Sequence, residues 1–293
     1  MNQQVPAVEG TVTARIRAHR TGLQPALGRI ADVVLADPAA VAAMTIADVA
    51  AHADCSEATV VRFTKEIGYT GYRQFRFALH EETAQRAGAP AEVYATDIDP
   101  ADDLSVVIAK IAAADARAAH DTVGMLDTAV LDAVAQHAVT ARRILLVGVG
   151  ASALPAQDLQ QKLFRVGLPA VAYLDVHHGL PAAALLGSDD LCIAFSHSGR
   201  TAETLDLAVV AARAGALTVA VTEAPRSVLA RACDHVLVTA ASESEVRSGA
   251  TASRIAQLTV VDCLFMATVR KLPDLGRDAL ARTRAAVESR RTD

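Results

Sequence analysis

Phe195-Ser196-His197-Ser198-Gly199-Arg200-Thr201-Ala202-Glu203 follows a short β-rich apolar run, Leu191–Phe195, and leads into a stretch of helical spacing. Three hydroxyls within six residues, around a glycine at a helix start, give a nest of neutral donors for a phosphate that needs neither a metal nor a fixed cation. The competing reading is a serine-rich turn that only caps its helix, and Thr201 stands where it would cap it. A second loop lies upstream: Gly148-Val149-Gly150-Ala151-Ser152 ends the run Ile144–Val149 and opens a helix to about Val166. Its glycines let the backbone approach an anion, and Ser152 adds a hydroxyl. It has neither the GxGxxG spacing nor the lysine of a P-loop, so alone it fits many nucleotide sites.

Working outward, further apolar runs stand at Ala170–Leu174, Leu217–Thr222 and His235–Thr239, all separated by helical stretches of Ala, Leu, Gln and Arg. Five such runs alternating with helices predict a five-stranded parallel sheet, doubly wound with helices on both faces, because parallel strands need crossover connections. Ligands of such sheets bind at the carboxyl ends of the strands. Ser248–Lys271 reads as one long apolar-periodic helix and Pro273–Asp293 as a polar, helical tail. On the other side, Asp102–His137 reads as two helices broken near Gly124. Ala87–Ala91 and Asp97–Asp103, rich in breakers and acidic residues, suit a linker, and Gly22–Gln85 is helical with no alternating strand. The expected organisation is an all-α N-terminal domain over 1–86, a linker and connecting helix over 87–121, an α/β domain over 122–272 and a tail over 273–293.

The 293 residues are 52% hydrophobic and 21% charged, with mean hydropathy +0.27. That composition excludes disorder over most of the chain and suits two domains. A net charge of −5 argues against a chain coated for bulk nucleic-acid or membrane binding, while leaving room for a local basic patch. Cys55, Cys192, Cys233 and Cys263 stand singly among apolar neighbours, without CxxC or Cys/His spacing, so buried thiols are expected and no metal or cofactor. The first ten residues lack a basic start followed by an apolar run, and every alanine-rich stretch is broken by Asp, Arg or His. No secretory leader and no membrane span are expected, and the location is cytoplasmic.

Within the helical part, Thr45 opens a helix with Asp48 three positions on, and Ala53-Asp54-Cys55 breaks it. Ser56 then caps Glu57–Ile67, which stops at Gly68. This is a helix-turn-helix outline. Val49, Ala50, Ala53, Cys55, Val60 and Phe63 fall inward, leaving Ser56, Glu57, Thr59, Arg62 and Lys65 outward on the second helix, a set able to reach phosphates and base edges. Residues 56–80 carry Arg62, Lys65, Arg73 and Arg76 against Glu57 and Glu66, a modest patch that dimerisation would double. Capped helix pairs also serve as plain scaffolding, and spacing leaves both readings open.

Ser56-Glu57-Ala58-Thr59-Val60-Val61-Arg62-Phe63, followed by Gly68-Tyr69-Thr70-Gly71-Tyr72-Arg73-Gln74-Phe75, resembles the N-terminal domain of the RpiR family of bacterial transcription regulators. Ser196 to Glu203 reproduces the Ser-x-Ser-Gly-x-Thr-x-Glu signature of the SIS (sugar isomerase) domain. The two resemblances together cover nearly the whole chain, in the domain order of that family. They imply a winged-helix-like or homeodomain-like unit in which Ser56, Thr59 and Arg62 touch operator DNA and Lys65, Tyr72 and Arg73 its backbone. Asp54 stands where such turns often carry Gly, a position Asp tolerates in a left-handed conformation. They also imply a phosphorylated sugar as effector, its phosphate held by Ser152, Ser196, Ser198 and Thr201 with the Ala151 and His197 main chain lining the loops. Glu203 caps its own helix or meets a neighbouring loop. Glu243, Glu245 or Arg247 would reach sugar hydroxyls or a dimer mate, and His177 and His178, in a loop, are further ligand candidates. The expected function is a DNA-binding regulator of sugar metabolism genes, a homodimer or homotetramer on a pseudo-palindromic operator and not an enzyme. The alternative is an SIS-domain isomerase, with Glu245 and His178 as base and acid and a helical dimerisation domain.

Overall fold

A computed structural model of the chain describes residues 10–20, 22–86, 98–99, 101–241, 252–272 and 275–288. Two compact units emerge: Met1–Leu126 with Ala240–Ser253, and Asp127–Thr239 with Arg254–Asp293.

The first unit is helical throughout its described residues, with Val12–Arg20 (α1), Pro25–Ala36 (α2), Pro38–Ala43 (α3), Ile46–His52 (α4), Glu57–Glu66 (α5), Tyr72–Arg86 (α6) and Leu104–Met125 (α7). Pro25 and Pro38 open their helices where a missing N–H costs nothing. α4 starts with a complete capping box: Asp48 N donates to Thr45 Oγ1 at 3.2 Å, and Thr45 N to Asp48 Oδ2 at 2.9 Å. The Thr45 hydroxyl, which donates to Asp48 Oδ2 at 2.7 Å, and then the Thr45 N–H hold the Asp48 carboxyl below the usual carboxylate range. α5 starts at Ser56, whose Oγ accepts from Thr59 N. Between the helices Asp54 takes φ +46°, the left-handed turn expected there. Val49, Ala50, Ala53, Val60 and Phe63 are buried as the spacing requires, and Cys55 packs half-buried against them. Phe75, from α6, sits at the centre of the ring packing, edge-on to Phe63 at 6.1 Å and to Tyr69 at 5.7 Å. Thr122 of α7, fully buried, is satisfied by Ala240: its hydroxyl donates to the carbonyl at 3.2 Å and accepts from the N–H at 3.0 Å.

The second unit is the predicted parallel sheet. After Thr128–Thr140 (α8) come Arg143–Gly148 (β1), Ala153–Arg165 (α9), Ala170–Tyr173 (β2), Val176–Ala184 (α10), Asp190–Phe195 (β3), Ala202–Arg213 (α11), Leu217–Thr222 (β4), Val228–Ala232 (α12) and His235–Val238 (β5). Ala252–Arg270 (α13) and Leu275–Glu288 (α14) follow. All pairings are parallel and the order is β2-β1-β3-β4-β5. Alternate strand residues meet different helices, as the period of two requires: Leu145, Val147, Cys192, Ala194 and Ala220 pack with Leu207, Ala208 and Leu229 of α11 and α12. Burial pushes the Cys192 thiol far above its ordinary value and that of Cys233 up to about 12, which disfavours the thiolate form of both.

β3 begins one residue earlier than the apolar run, at Asp190. Its carboxylate, wholly buried, is met by Arg142 at 2.7 Å and Arg143 at 2.9 Å and by Gly187 N at 2.8 Å. Burial opposes its ionisation, but these partners win and hold the carboxyl well below the usual range. α13 is long and apolar enough to cross a membrane by length and composition alone, with mean hydropathy 1.3. Here it buries Ala256, Val260, Val261 and Leu264, at helical spacing, as a core helix.

Candidate functional site

On α5, Ser56, Glu57, Arg62 and Lys65 are exposed and Thr59 is half-buried. The outward face read from the sequence is thus the outward face of the fold. Arg62 Nη2 donates to Gln24 Oε1 at 3.0 Å, a contact between exposed side chains. Tyr72, half-buried, donates its hydroxyl to Met44 O at 3.0 Å. Arg73 is exposed and lines a groove with Arg76, Phe77 and His80 of α6 against Ala42 and Ala43.

In the second unit the pairing Gly148↔Phe195 ends β1 and β3 at the same level. Their two loops therefore leave the sheet side by side at its carboxyl edge. β2 lies on one flank of β1 and β3 on the other, so this is where the strand order reverses, the place at which open α/β sheets form a ligand crevice. In the first loop, a Cβ on Gly148 would lie 2.2 Å from Ser152 O, and Gly150 takes φ +60°. The chain turns tightly there through the short 3₁₀ segment Gly150–Ser152 into α9.

In the second loop, Ser196 is buried, its N–H continuing the ladder to Val221 O and its hydroxyl 3.0 Å from that of Thr201. Gly199 takes φ +61°, and a Cβ there would lie 2.0 Å from Ser227 Oγ. Only glycine fits. Ser198, exposed, accepts from Arg200 N at 3.3 Å. His197 anchors the loop to the end of β4: its carbonyl accepts from Glu223 N and Thr222 Oγ1, and its Nε2 lies 3.2 Å from Glu223 Oε2.

The competing reading, a turn that only caps its helix, is not met at Thr201. Thr201 occupies the N-cap of α11 but makes no side-chain capping bond, because its hydroxyl pairs with buried Ser196. Ser152, at the N-cap of α9, makes none either. No side chain caps either helix; at α9 the 3₁₀ turn already takes Ala153 N–H with the Gly150 and Ala151 carbonyls, while at α11 the helix N-terminus has no such turn before it, a condition that favours an anion. Glu203 is exposed in the first turn of α11. His177 and His178 lie not in a loop but in the first turn of α10, where Asp175 accepts from both of their N–H groups. Glu243, Glu245 and Arg247 lie outside the described residues. Among the described residues no three His, Cys, Asp or Glu side chains are placed to hold a metal ion.

Sequence reading missed Gln257. It is 1% exposed on α13, and its Nε2 donates to Ser152 Oγ at 3.3 Å. The available signal was a carboxamide standing in an otherwise apolar helical stripe.

Residues 10–86 match the helix-turn-helix domain of the rpiR family and residues 139–267 the SIS domain. Over 277 residues, 94% of this chain and 96% of the relative, the sequence is 33% identical to an uncharacterised HTH-type transcriptional regulator of Haemophilus influenzae. The chain belongs to the rpiR family of helix-turn-helix transcriptional regulators. As a family member it also resembles the Vibrio vulnificus NanR protein complexed with ManNAc-6P, at 28% identity and TM-score 0.61, covering 97% of this chain and 100% of that one. The sugar isomerase domain of an RpiR transcription factor from Sphaerobacter thermophilus shares the fold, at 24% identity and TM-score 0.56 over 63% of this chain and 99% of that one. The rpiR-family assignment makes the first unit a DNA-binding one.

Proposed function

We propose that this regulator controls genes of sugar metabolism and that a phosphorylated sugar, held in its SIS domain, sets its affinity for operator DNA. The observation that carries this reading is the pair of loops beside one another at the reversal of strand order, Gly148–Ser152 and Ser196–Thr201. Their serine and threonine hydroxyls and the helix N-terminus of α11, which no side chain caps, suit a phosphate dianion. Ser152, Ser196, Ser198 and Thr201 hold the phosphate, and the main chain of Ala151 and His197 lines the loops. His178, the acid that an isomerase reading would use, is 84% exposed by side chain, which favours a sensor over an isomerase. NanR of V. vulnificus, complexed with ManNAc-6P, makes an amino-sugar 6-phosphate the first effector to try. On the DNA side Ser56, Thr59 and Arg62 read the operator, while Lys65, Tyr72 and Arg73 contact its backbone. A homodimer or homotetramer places two recognition helices on half-sites about 34–36 Å apart, or a multiple of that. The protein works in the cytoplasm, where its DNA is. Effector binding to one arrangement of the assembly changes operator affinity by linkage.

The test is calorimetric titration of the parent, Ser198→Ala and Thr201→Ala with ManNAc-6P and other hexose and pentose phosphates. Each variant loses a hydroxyl bond to a charged group, about 1.5–3 kcal/mol, or roughly ten- to a hundredfold in affinity. Operator binding without effector should survive. A double variant that binds as tightly as the parent would move the phosphate to another place.

A further inference from the structure

We propose that Gln257 is a positioning residue of the phosphate cradle, and that cradle occupancy acts through it on helix α13. The proposal rests on the phosphosugar reading above. Gln257 shares the buried face of α13 with Ala256, Val260, Val261 and Leu264, all at most 1% exposed. A carboxamide in that stripe has to be paired, because an unpaired polar group costs more there than an aliphatic side chain of similar size. Its partner is Ser152, at 3.3 Å.

The direction of this bond matters. A serine hydroxyl carries one proton and two lone pairs. Gln257 donates to a lone pair of Ser152 Oγ, so the hydroxyl proton stays free for an anion at the first loop. Ser152 is not held by capping α9, which leaves Gln257 to orient it. When a phosphate accepts that proton, the Gln257–Ser152–phosphate chain polarises in one sense and each bond strengthens the next.

The helix that carries Gln257 has a second property. Ala252 and Ser253, at its start, group with the first unit, and Arg254 onwards with the second. Gln257 lies four residues past Ser253, about 6 Å along the axis at 1.5 Å per residue. A change in how tightly Gln257 is held is therefore a change in the first turns of α13. That meets the physical requirement for coupling, an element that ligand occupancy biases.

The experiment uses the full chain, with Gln257→Leu, Gln257→Glu and Ser198→Ala beside the parent. Titrations with inorganic phosphate and ManNAc-6P give affinity, thermal melts give stability, and fluorescence anisotropy gives operator affinity with and without saturating ManNAc-6P. Gln257→Leu should weaken both ligands about five- to tenfold and bring the two operator affinities together. Its apo melting temperature should be unchanged or higher, since an aliphatic group suits the stripe; a structural role would lower the melting temperature and spare the affinity. Gln257→Glu keeps the shape but only accepts, takes the Ser152 proton and sets a negative charge by the site. It should lose more, and it carries the test should the leucine variant not fold. Parental affinity and parental coupling in both Gln257 variants, with Ser198→Ala weakened, would overturn the proposal and leave the cradle standing. Parental affinity in Ser198→Ala as well would remove the cradle itself.

Discussion

Asp54 pays at its backbone for the turn it makes. At φ +46° its Cβ crowds the backbone in a way that glycine's hydrogen does not, a cost of about 1 kcal/mol for a residue that tolerates this region. Asp54→Gly should therefore raise the urea midpoint by up to about 1 kcal/mol equivalent, measured without DNA; a lower midpoint would mean that the side chain contributes something the geometry does not explain. The same residue shows what is legible locally. Thr45, Ser56 and the left-handed turn were readable because caps and turns are decided within four residues of chain. Thr201 was not, since its hydroxyl answers to Ser196, a buried group at the strand end that needs a partner. Gln257 escaped because its partner, Ser152, is 105 residues away.

At the scale of elements, α5 is an amphipathic helix with Val60 and Phe63 sunk in the core and Arg62 and Lys65 left outside. Arg62 is parked on Gln24 through a single exposed hydrogen bond, weak enough to be exchanged for DNA. Arg62→Ala should cost about 1–3 kcal/mol of operator affinity if it reads a base edge, with specificity relaxed at that position; if it meets a phosphate instead, binding to all sequences weakens and the salt slope drops by about one. Anisotropy titrations at several salt concentrations separate these, and unchanged binding removes Arg62 from the surface. Phosphosugar affinity should stay at the parental value in either case. The five strands were legible as elements because parallel strands buried on both faces read as continuous apolar runs. Their ends were less so. β3 starts at Asp190, a charge no strand pattern admits, because Arg142 and Arg143 arrive from β1 and the residue before it.

For the whole molecule, Asp190 ties acid resistance to the sheet. Its folded pKa is depressed, so its contribution is present above the unfolded value of about 4 and is lost as pH falls below it towards the folded value. Asp190→Asn should lower stability at pH 7 by about 1–3 kcal/mol, the loss of hydrogen bonds to charged groups. The gap between variant and parent should close on acidification below about pH 4 in denaturant melts; a gap independent of pH would assign the loss to packing. The two-texture organisation was readable from composition and periodicity, but the way the first unit is completed was not, since it depends on pairing across the sequence. Thr122 buries its hydroxyl against Ala240, 118 residues downstream. A chain leaving the ribosome at roughly 5–20 residues per second makes Thr122 wait about 6–24 s for that partner. During that interval the Thr122 hydroxyl has only water or its own helix for a partner, and the whole parallel sheet has to emerge first. A fragment ended at Leu126 would remain in that interval indefinitely.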